Sequence, residues 1–157
     1  MRAVISAGSN MEDSRAHLAS VRAHFAEVLV AASSLYATAP WGKTDQPDFL
    51  NQSLLIDAPL TPSQLLHECQ ALEAAANRVR IERWGPRTLD VDIVDIEGYT
   101  SDDPVLTVPH PRAHLRAFVL APWLELDPDA TLGGERVADL LAGLDPAERE
   151  GVRRLED

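Results

Sequence analysis

The chain has 157 residues, of which 45% are hydrophobic and 25% charged, and both values are typical of one compact globular domain. Its formal net charge of −11 argues against a nucleic-acid or anionic-membrane partner, because both require a basic surface. The sequence contains neither a signal-peptide core nor a stretch of roughly 20 apolar residues, and its single cysteine, Cys69, cannot form an internal disulfide. We therefore expect a monomeric cytoplasmic protein with one domain over 1–157 and a peripheral tail from about residue 145.

The N-terminal residues predict a strand followed by a helix. Residues 3–7 form a short apolar run that stops at Gly8-Ser9-Asn10, as expected for a buried strand before a turn. Apolar residues then recur at helical spacing and predict a helix that includes Leu18, Val21, Phe25, Val28 and Leu29.

Two further strands and a second helix follow. Residues 33–38 and 48–57 have the composition of strands and are separated by a proline-bearing loop. Thr61 and Gln64 form a capping pair at the start of a helix, with Pro62 at its first position. The predicted apolar face of this helix consists of Leu65, Leu66, Cys69 and Leu72.

The remaining elements complete an α+β pattern. Residues 77–87 lose helical periodicity, which predicts a loop before a strand over 88–96. An extended piece at 105–108 and helices near 113–121 and 135–141 come next. The order β-α-β-β-α-β, with a helical extension at the C-terminus, predicts a ferredoxin-like αβα sandwich with a mainly antiparallel sheet.

The first candidate site is the pair Asp90 and Asp92. Residues two apart in a strand lie on the same face, with their Cα atoms about 6.6 Å apart. Both carboxylates therefore project together while Leu89, Val91 and Ile93 face the core. Two such carboxylates can hold one or two Mg²⁺ ions together with phosphate oxygens and water. The alternative is an ordinary strand with acidic residues in solvent, because Asp-x-Asp is a short motif of low specificity.

An arginine-rich segment precedes the acidic strand. Residues 78–87 contain four arginines and one acid, Glu82, so this segment is positive in a negatively charged chain. Guanidinium groups bind phosphate oxygens and Mg²⁺ bridges phosphates to carboxylates, so a basic segment beside an acidic strand indicates a phosphoryl-transfer site. The alternative is a set of solvated arginines that pair with acids elsewhere. The four are Arg78, Arg80, Arg83 and Arg87.

Other candidates are less specific. His110 lies between two prolines and is either a phosphate ligand or a structural residue. Phe49 and Asn51 share one strand face, and with Phe118 they are either core residues or a clamp for a flat heterocycle. The sequence lacks a Walker-type motif and a G-x-G-x-x-G motif, so we expect neither a P-loop enzyme nor a dinucleotide-binding fold.

Longer blocks of the sequence resemble one family. Residues 82–93, preceded by Arg78-Val79-Arg80, resemble the signature of the 6-hydroxymethyl-7,8-dihydropterin pyrophosphokinases. The resemblance runs from about residue 3 to about residue 128. Four other blocks agree in the same order, at residues 8–10, 38–42, 46–51 and 106–112.

The resemblance implies a ferredoxin-like enzyme that moves the terminal diphosphate of ATP to the hydroxymethyl group of a reduced pterin, a step of folate biosynthesis. It implies that Asp90 and Asp92 bind two Mg²⁺ ions and that Arg78 and Arg87 complete the catalytic set. The implied nucleotide contacts are Gln70, Glu73, Arg80, Trp84, Arg87, Ile93, Thr107, His110 and Arg116. The implied pterin contacts are Thr38, Ala39, Trp41, Gly42, Phe49, Asn51, Trp84 and Phe118.

Two other functions are compatible with the predicted fold. A regulatory module would bind a nucleotide without turning it over, and its ATP affinity would not depend on a pterin. An RNA-binding module is disfavoured because the chain is strongly negative and the strands carry no aromatic RNA-binding signature. Helical spacing supports the transferase independently in one respect, since Gln70 and Glu73 are three residues apart and share a helix face.

Overall fold

The computed structural model of the chain describes residues 1–10, 13–38, 48–79 and 89–155. Its strands are β1 (Arg2–Ser9), β2 (Leu29–Ala32), β3 (Tyr36–Thr38), β4 (Phe49–Asp57), β5 (Leu89–Ile96), β6 (Ser101–Asp103), β7 (Leu106–Val108), β8 (Thr131–Leu132), β9 (Glu135–Arg136) and β10 (Val152–Arg154). Its α-helices are α1 (Ser14–His24), α2 (Pro62–Val79), α3 (Ala117–Leu126), α4 (Val137–Ala142) and α5 (Pro146–Glu150), and 3₁₀ turns lie at Ala26–Val28 and Ala113–Leu115.

Within these described ranges, six strands form one antiparallel sheet in the order β10-β3-β4-β1-β5, and β2 also pairs with β4. The strand β1 is an interior strand that pairs with β4 on one side and with the edge strand β5 on the other. With α1 between β1 and β2, and α2 between β4 and β5, this topology confirms the predicted ferredoxin-like fold.

Helices cover both faces of the sheet because the side chains of each strand alternate between them. On one face, Ile5 packs with Leu18 of α1 and Leu65 of α2. On the other face, Val4 packs with Leu120 of α3. Among the helices that the structure describes, none combines the length and the apolar content needed to cross a bilayer.

Cys69 is a core residue, as its helical position predicts. Its side chain is fully buried in the core beneath α1 and α2. Burial, followed by the negative charge of Glu73, raises the pKa of the thiol to about 12. The thiol is therefore protonated at neutral pH and packs as a small hydrophobe.

Three predicted boundaries in the N-terminal half are wrong. The helix α1 ends at His24 instead of reaching Leu29, which begins β2. Val28 and Leu29 both pack against the core, and a short apolar run reaches a core equally well from a helix or a strand. Of the predicted strand over 33–38, only β3 is regular. The helix α2 continues to Val79, beyond the predicted start of a loop at residue 77, because a run of alanines favours helix without any apolar stripe.

The C-terminal region is more ordered than expected. The predicted helix near 113–121 is a 3₁₀ turn followed by α3, which runs to Leu126. The predicted helix near 135–141 is α4, and its first two residues belong instead to β9. The expected peripheral tail contains α5 and β10, and β10 pairs with β3 as an edge strand of the main sheet. Such pairing joins residues more than 100 positions apart, so local sequence pattern does not reveal it.

The hydroxyl of Ser53, at the centre of β4, generates the first prediction. It is fully buried and has no hydrogen-bond partner among the described residues. Because a buried unpaired hydroxyl costs about 1–3 kcal/mol, Ser53→Ala should raise the free energy of unfolding by about 1 kcal/mol. Urea denaturation at constant m-value measures this change.

Ser33→Ala is the matched control. The Ser33 hydroxyl accepts a hydrogen bond from the Ser53 amide at 3.0 Å and donates one to the Ser34 carbonyl at 2.8 Å. Its removal should lower the free energy of unfolding by about 1–2 kcal/mol. A Ser53→Ala variant that is less stable than the wild type would contradict the prediction.

Candidate active site

Alternate residues of β1, β4 and β5 bring polar groups to one face of the sheet. They lie on the same face as Val4, Leu55 and Val94, which pack in the core beneath α3. Strand register aligns them in two rows across the three strands. The rows are Asn51–Gly8–Asp90 and Ser53–Ser6–Asp92.

A cavity of about 790 Å³ covers this face, within the usual size range of small-molecule sites. It brings together the acidic pair, the aromatic candidates and Arg116, one of the nucleotide contacts that the family resemblance implies. The predicted site residues in its lining are Thr38, Phe49, Asn51, Asp90, Asp92, Arg116 and Phe118.

Small residues on the central strand leave space between the two sides of the site. Gly8 has no side chain, and the neighbouring Asn51 occupies the space above it. A Cβ atom at position 8 would lie 2.6 Å from Oδ1 of Asn51. The Asn51 amide nitrogen donates a hydrogen bond to the Thr38 hydroxyl at 3.1 Å. The Asn51 side chain is therefore held in one orientation at the cavity wall.

The acidic side of the site has three carboxylates. Asp90 and Asp92 line the cavity, and behind them Glu73 of α2 accepts a hydrogen bond from the Val91 amide at 2.8 Å. Burial raises the pKa of Glu73, and the negative charges of Asp92 and Asp90 raise it further against that hydrogen bond. This mutual repulsion favours a cation at the pair.

Residues 91–94 form an edge of the sheet in the described part of the chain, since β5 is the last strand on that side. Glu73 binds the Val91 amide at this edge, and the His110 amide donates to the Val94 carbonyl at 2.8 Å. The side chain of Ile93 points to the opposite face and is buried in the core beneath α1 and α2. In a strand, the backbone N–H and C=O groups of residues two apart point to the same edge. The backbone of Ile93 therefore points to the same outer edge as that of Val91, beside Glu73 and His110.

His110 has a defined tautomer. Its Nδ1 accepts a hydrogen bond from the Arg112 amide at 3.1 Å, so the neutral ring carries its proton on Nε2. Burial lowers the pKa of His110, and Arg116 and Arg112 lower it further, whereas Asp92 raises it. The imidazole is therefore neutral at pH 7 and offers one N–H donor close to the acidic pair.

The wall opposite the sheet begins at the N-terminal end of α3. The guanidinium carbon of Arg116 lies 5.6 Å from the ring centroid of Phe118, a cation–π contact. Phe118 is partly buried against the second core, and Phe49 is partly exposed at the start of β4. Both rings therefore keep surface available inside the cavity.

The remaining predicted residues lie elsewhere. Gln70 is exposed on α2, and the Thr107 hydroxyl on β7 donates to the Asp103 carbonyl at 3.0 Å. Neither lines the cavity, and Glu73, Ile93 and His110 lie beside the acidic strand without lining it. The predicted residues that fall outside the described part of the chain are Ala39, Trp41, Gly42, Arg80, Trp84 and Arg87, together with the side chain of Arg78.

Sequence reasoning missed several residues of the lining. Ser6 is absent from the predicted site because a serine within an apolar run carries no motif. The C-terminal part has one local signal, since Asp145-Pro146 is a typical N-cap and N1 pair and does begin α5. The missed residues are Ser6, Gly8, Leu115, Asp145, Ala147, Glu148 and Gly151.

The acidic pair fits Mg²⁺ in the presence of phosphate. Among the described residues, no group of three or more histidine, cysteine or acidic side chains is arranged to hold a metal by itself. Mg²⁺ usually takes one or two carboxylates and completes its shell with substrate phosphates and water. Asp90 and Asp92 on one strand face, beside an open cavity, meet this requirement.

A carboxylate pair, an aromatic pair and an arginine surround one cavity on an antiparallel ferredoxin-like sheet, as expected for a small-molecule site in a protein of the α+β class. The family model described as 7,8-dihydro-6-hydroxymethylpterin-pyrophosphokinase (HPPK) matches residues 4–128. The chain belongs to this family.

Sequence similarity to known proteins extends over nearly the whole chain. A protein of Methylorubrum extorquens named 2-amino-4-hydroxy-6-hydroxymethyldihydropteridine pyrophosphokinase is 46% identical over 99% of this chain and 99% of its own. The Mycobacterium tuberculosis protein of the same name is 46% identical over 97% of this chain and 88% of its own. The fold is also similar to a crystal structure of an HPPK-DHPS protein in complex with substrates, with a TM-score of 0.63 over 88% of this chain and 42% of that chain. Because the sequence identity is 10%, this similarity supports the fold alone.

The close approach of Gly8 and Asn51 generates the second prediction. Gly8→Ala should displace the Asn51 side chain and lower the free energy of unfolding by about 1–3 kcal/mol, because the added Cβ overpacks the wall of the cavity. Urea denaturation measures the loss, and the side-chain amide resonances of Asn51 in a ¹H–¹⁵N spectrum report the displacement.

Gly143→Ala controls for the substitution itself, since its Cβ would meet the nearest atom at 3.4 Å. It should leave the Asn51 resonances in place. Unchanged Asn51 resonances in Gly8→Ala would show that position 8 has more space than the structure indicates.

Proposed function

We propose that this chain transfers the diphosphate group of ATP to 6-hydroxymethyl-7,8-dihydropterin, giving AMP and the pterin diphosphate in folate biosynthesis. The observation that carries the proposal is the register of the site. Asn51 and Asp90 lie two strands apart, roughly 10 Å, with only Gly8 between them. A pterin at the amide side can therefore extend its hydroxymethyl group toward phosphates bound at the carboxylate side.

The pterin side consists of aromatic faces and one amide. Phe49 and Phe118 line the same cavity and would stack on the two faces of the ring, as aromatic clamps do. Asn51, oriented by Thr38, would bind the polar edge of the ring. Ala39, Trp41, Gly42 and Trp84 complete the proposed contacts and lie outside the described residues.

The nucleotide side lies along the edge of β5. The backbone of Ile93, the Glu73 carboxylate and the Nε2–H of His110 would bind the nucleoside and phosphates, with Gln70 and Thr107 farther along the same side. Arg116, which lines the cavity, would neutralise phosphate charge. The proposed contacts of Arg78, Arg80, Arg87 and Trp84 involve side chains outside the described residues.

Asp90 and Asp92 would hold two Mg²⁺ ions. When bound with ATP, these ions neutralise the charge that develops on the transferring phosphates. The chain's own contribution is to fix the carboxylates on one strand face and to keep the cavity floor free of bulk at Ser6 and Gly8. Pairs of residues on rigid strands are well suited to such positioning.

In the proposed reaction, the pterin hydroxymethyl oxygen attacks the β-phosphorus of ATP in line with the bridge to the α-phosphate. The new oxygen–phosphorus bond forms, the bridging bond breaks, AMP leaves and the hydroxyl proton is lost. Orientation supplies much of the rate, because the two substrates meet in one cavity instead of in solution. Arg116 and the His110 donor add positive potential where negative charge builds up.

We also propose that the chain acts as a monomeric single domain over 1–157 in the cytoplasm. One sheet carries both helical layers and both cores, which supports a single folding unit. The only cysteine is buried in a core, which is compatible with a reducing compartment.

The third prediction tests the reaction and the acidic pair together. The wild type, supplied with ATP, Mg²⁺ and 6-hydroxymethyl-7,8-dihydropterin, should release AMP, quantified by chromatography. Asp90→Asn and Asp92→Asn should each lower kcat at saturating Mg²⁺ by at least about 100-fold, because each replaces a charged carboxylate proposed to hold Mg²⁺ by a neutral amide.

Asp95→Asn is the matched control on the same strand. Asp95 lines a separate, smaller cavity with Arg2 and Asp129, so its replacement should leave kcat within about twofold. ADP as the nucleotide product would reject the proposed reaction, and ATP binding without any turnover would reject it in favour of the regulatory module.

The fourth prediction separates a pterin clamp from a core role at Phe49. If the ring stacks on the pterin, Phe49→Ala should weaken pterin affinity by about 1–3 kcal/mol and leave ATP affinity nearly unchanged. If it is a core residue, the same change should cost about 3–5 kcal/mol of stability and weaken both ligands. We expect the selective defect because Phe49 is partly exposed in the cavity.

Separate calorimetric titrations with ATP and with the pterin, together with denaturant midpoints, distinguish the two outcomes. Phe25→Leu provides a core reference, since Phe25 is 3% exposed in the core beneath α1. It should lower stability without any preference between the ligands. An equal loss of both affinities in Phe49→Ala would leave the pterin site unassigned.

A further inference from the structure

The C-terminal segment forms one wall of the cavity although it lies beyond the part of the chain that the family model matches. That match ends at residue 128, whereas Asp145, Ala147, Glu148 and Gly151 line the cavity. The cavity is therefore closed on this side by residues that neither motif nor family match assigns to the site.

The helix α5 is held firmly at its start. The Asp145 carboxylate accepts a hydrogen bond from the Ala147 amide at 3.0 Å, and Pro146 occupies the first helical position. These two features fix the short helix without help from a large buried face. Glu148, one turn later, is thus presented in a defined position.

Glu148 connects this wall to α3. Its Oε2 accepts a hydrogen bond from the amide of Ala117, the first residue of α3, at 3.1 Å. Ala117 lies between Arg116 and Phe118, both of which line the cavity. The carboxylate binds one of the first amides of α3, which have no partner within the helix, and α3 has no capping side chain of its own.

The strand β10 secures the same segment to the opposite side of the cavity. Val152 pairs with Thr38, whose hydroxyl accepts the hydrogen bond from Asn51. Arg153 forms an ion pair with Asp48 at 2.9 Å, one residue before Phe49. Residues 145–154 therefore contact both sides of the proposed pterin site.

A purely structural role for Glu148 would be to stabilise α3 as any cap does. Two observations favour a further role. The carboxylate lines the cavity, and the residue that it binds is flanked on both sides by cavity residues. A shift at the start of α3 would therefore move Phe118 at the cavity wall.

We propose that Glu148 is a positioning residue for the transferase site: by fixing the first amide of α3, it holds Phe118, the next residue, in the orientation that accepts the pterin. The proposal rests on the proposed function for the identity of the ligand. The hydrogen bond, and not the charge, is the required feature, so glutamine at this position should be able to replace glutamate.

The test compares Glu148→Ala, Glu148→Gln and Glu150→Ala. Glu150 lies on the same helix, is exposed and does not line the cavity. Glu148→Ala should weaken the affinity for 6-hydroxymethyl-7,8-dihydropterin by about 10-fold and raise its KM accordingly, the usual scale for coupled neighbours. ATP affinity should change by less than about threefold, because most proposed ATP contacts lie along β5.

Glu148→Gln should restore pterin affinity to within about threefold of the wild type, since the amide oxygen can still accept from Ala117. Glu150→Ala should bind like the wild type. The proposal is overturned if Glu148→Ala binds pterin normally, if Glu148→Gln is as weak as Glu148→Ala, or if Glu150→Ala shows the same loss.

A measurement without ligand separates this proposal from the proposed function. The chain contains three phenylalanines, so incorporation of fluorophenylalanine gives three ¹⁹F resonances, assigned by single substitutions. In Glu148→Ala the Phe118 resonance should shift or broaden while that of the core residue Phe25 stays in place. An unmoved Phe118 resonance overturns the positioning role, whereas a wild type that produces no AMP overturns only the function.

Discussion

The antiparallel pairing of β1 between β4 and β5 is the interaction on which the site depends. Because side chains alternate along a strand, this register places Ser6 and Gly8 on the cavity face and Ile5 and Ala7 in the core. A slip of one residue would exchange the two sets and put apolar side chains on the floor of the site. The core therefore enforces the geometry of the site, since burying Ile5 and Ala7 fixes the register.

The same sheet face has two uses along its length. Near Val4, α3 covers it and buries Leu120 and Trp123 in the second core. Near Gly8, α3 no longer covers the sheet, and the residues at its N-terminal end face the cavity instead. The site is therefore the uncovered half of an otherwise packed sheet face. Its rigidity derives from the packed half, and its openness from the small residues on the central strand.

The site needs positive charge to bind a polyanion, because three carboxylates lie close together. Burial raises the pKa of Glu73, and the negative charges of Asp92 and Asp90 raise it further. In a chain of net charge −11, a polyanion such as ATP would be repelled without local compensation. Arg116 supplies part of that compensation at the cavity wall.

Local patterns in the sequence were sufficient to predict the succession of strands and helices, the shared face of Asp90 and Asp92, the burial of Cys69 and the family. Each depends on spacing within one element or on contiguous signature residues. They were insufficient at the ends of elements, as at α1, where Leu29 contacts the core from a strand and not from a helix.

Tertiary structure decided which elements meet. The alignment of Asn51 with Gly8 and Asp90, and the inclusion of Glu148 in the cavity wall, join residues from distant parts of the chain. Such contacts depend on strand pairing and helix packing, which are determined by burial over the whole fold. They produce no periodic pattern in the local sequence.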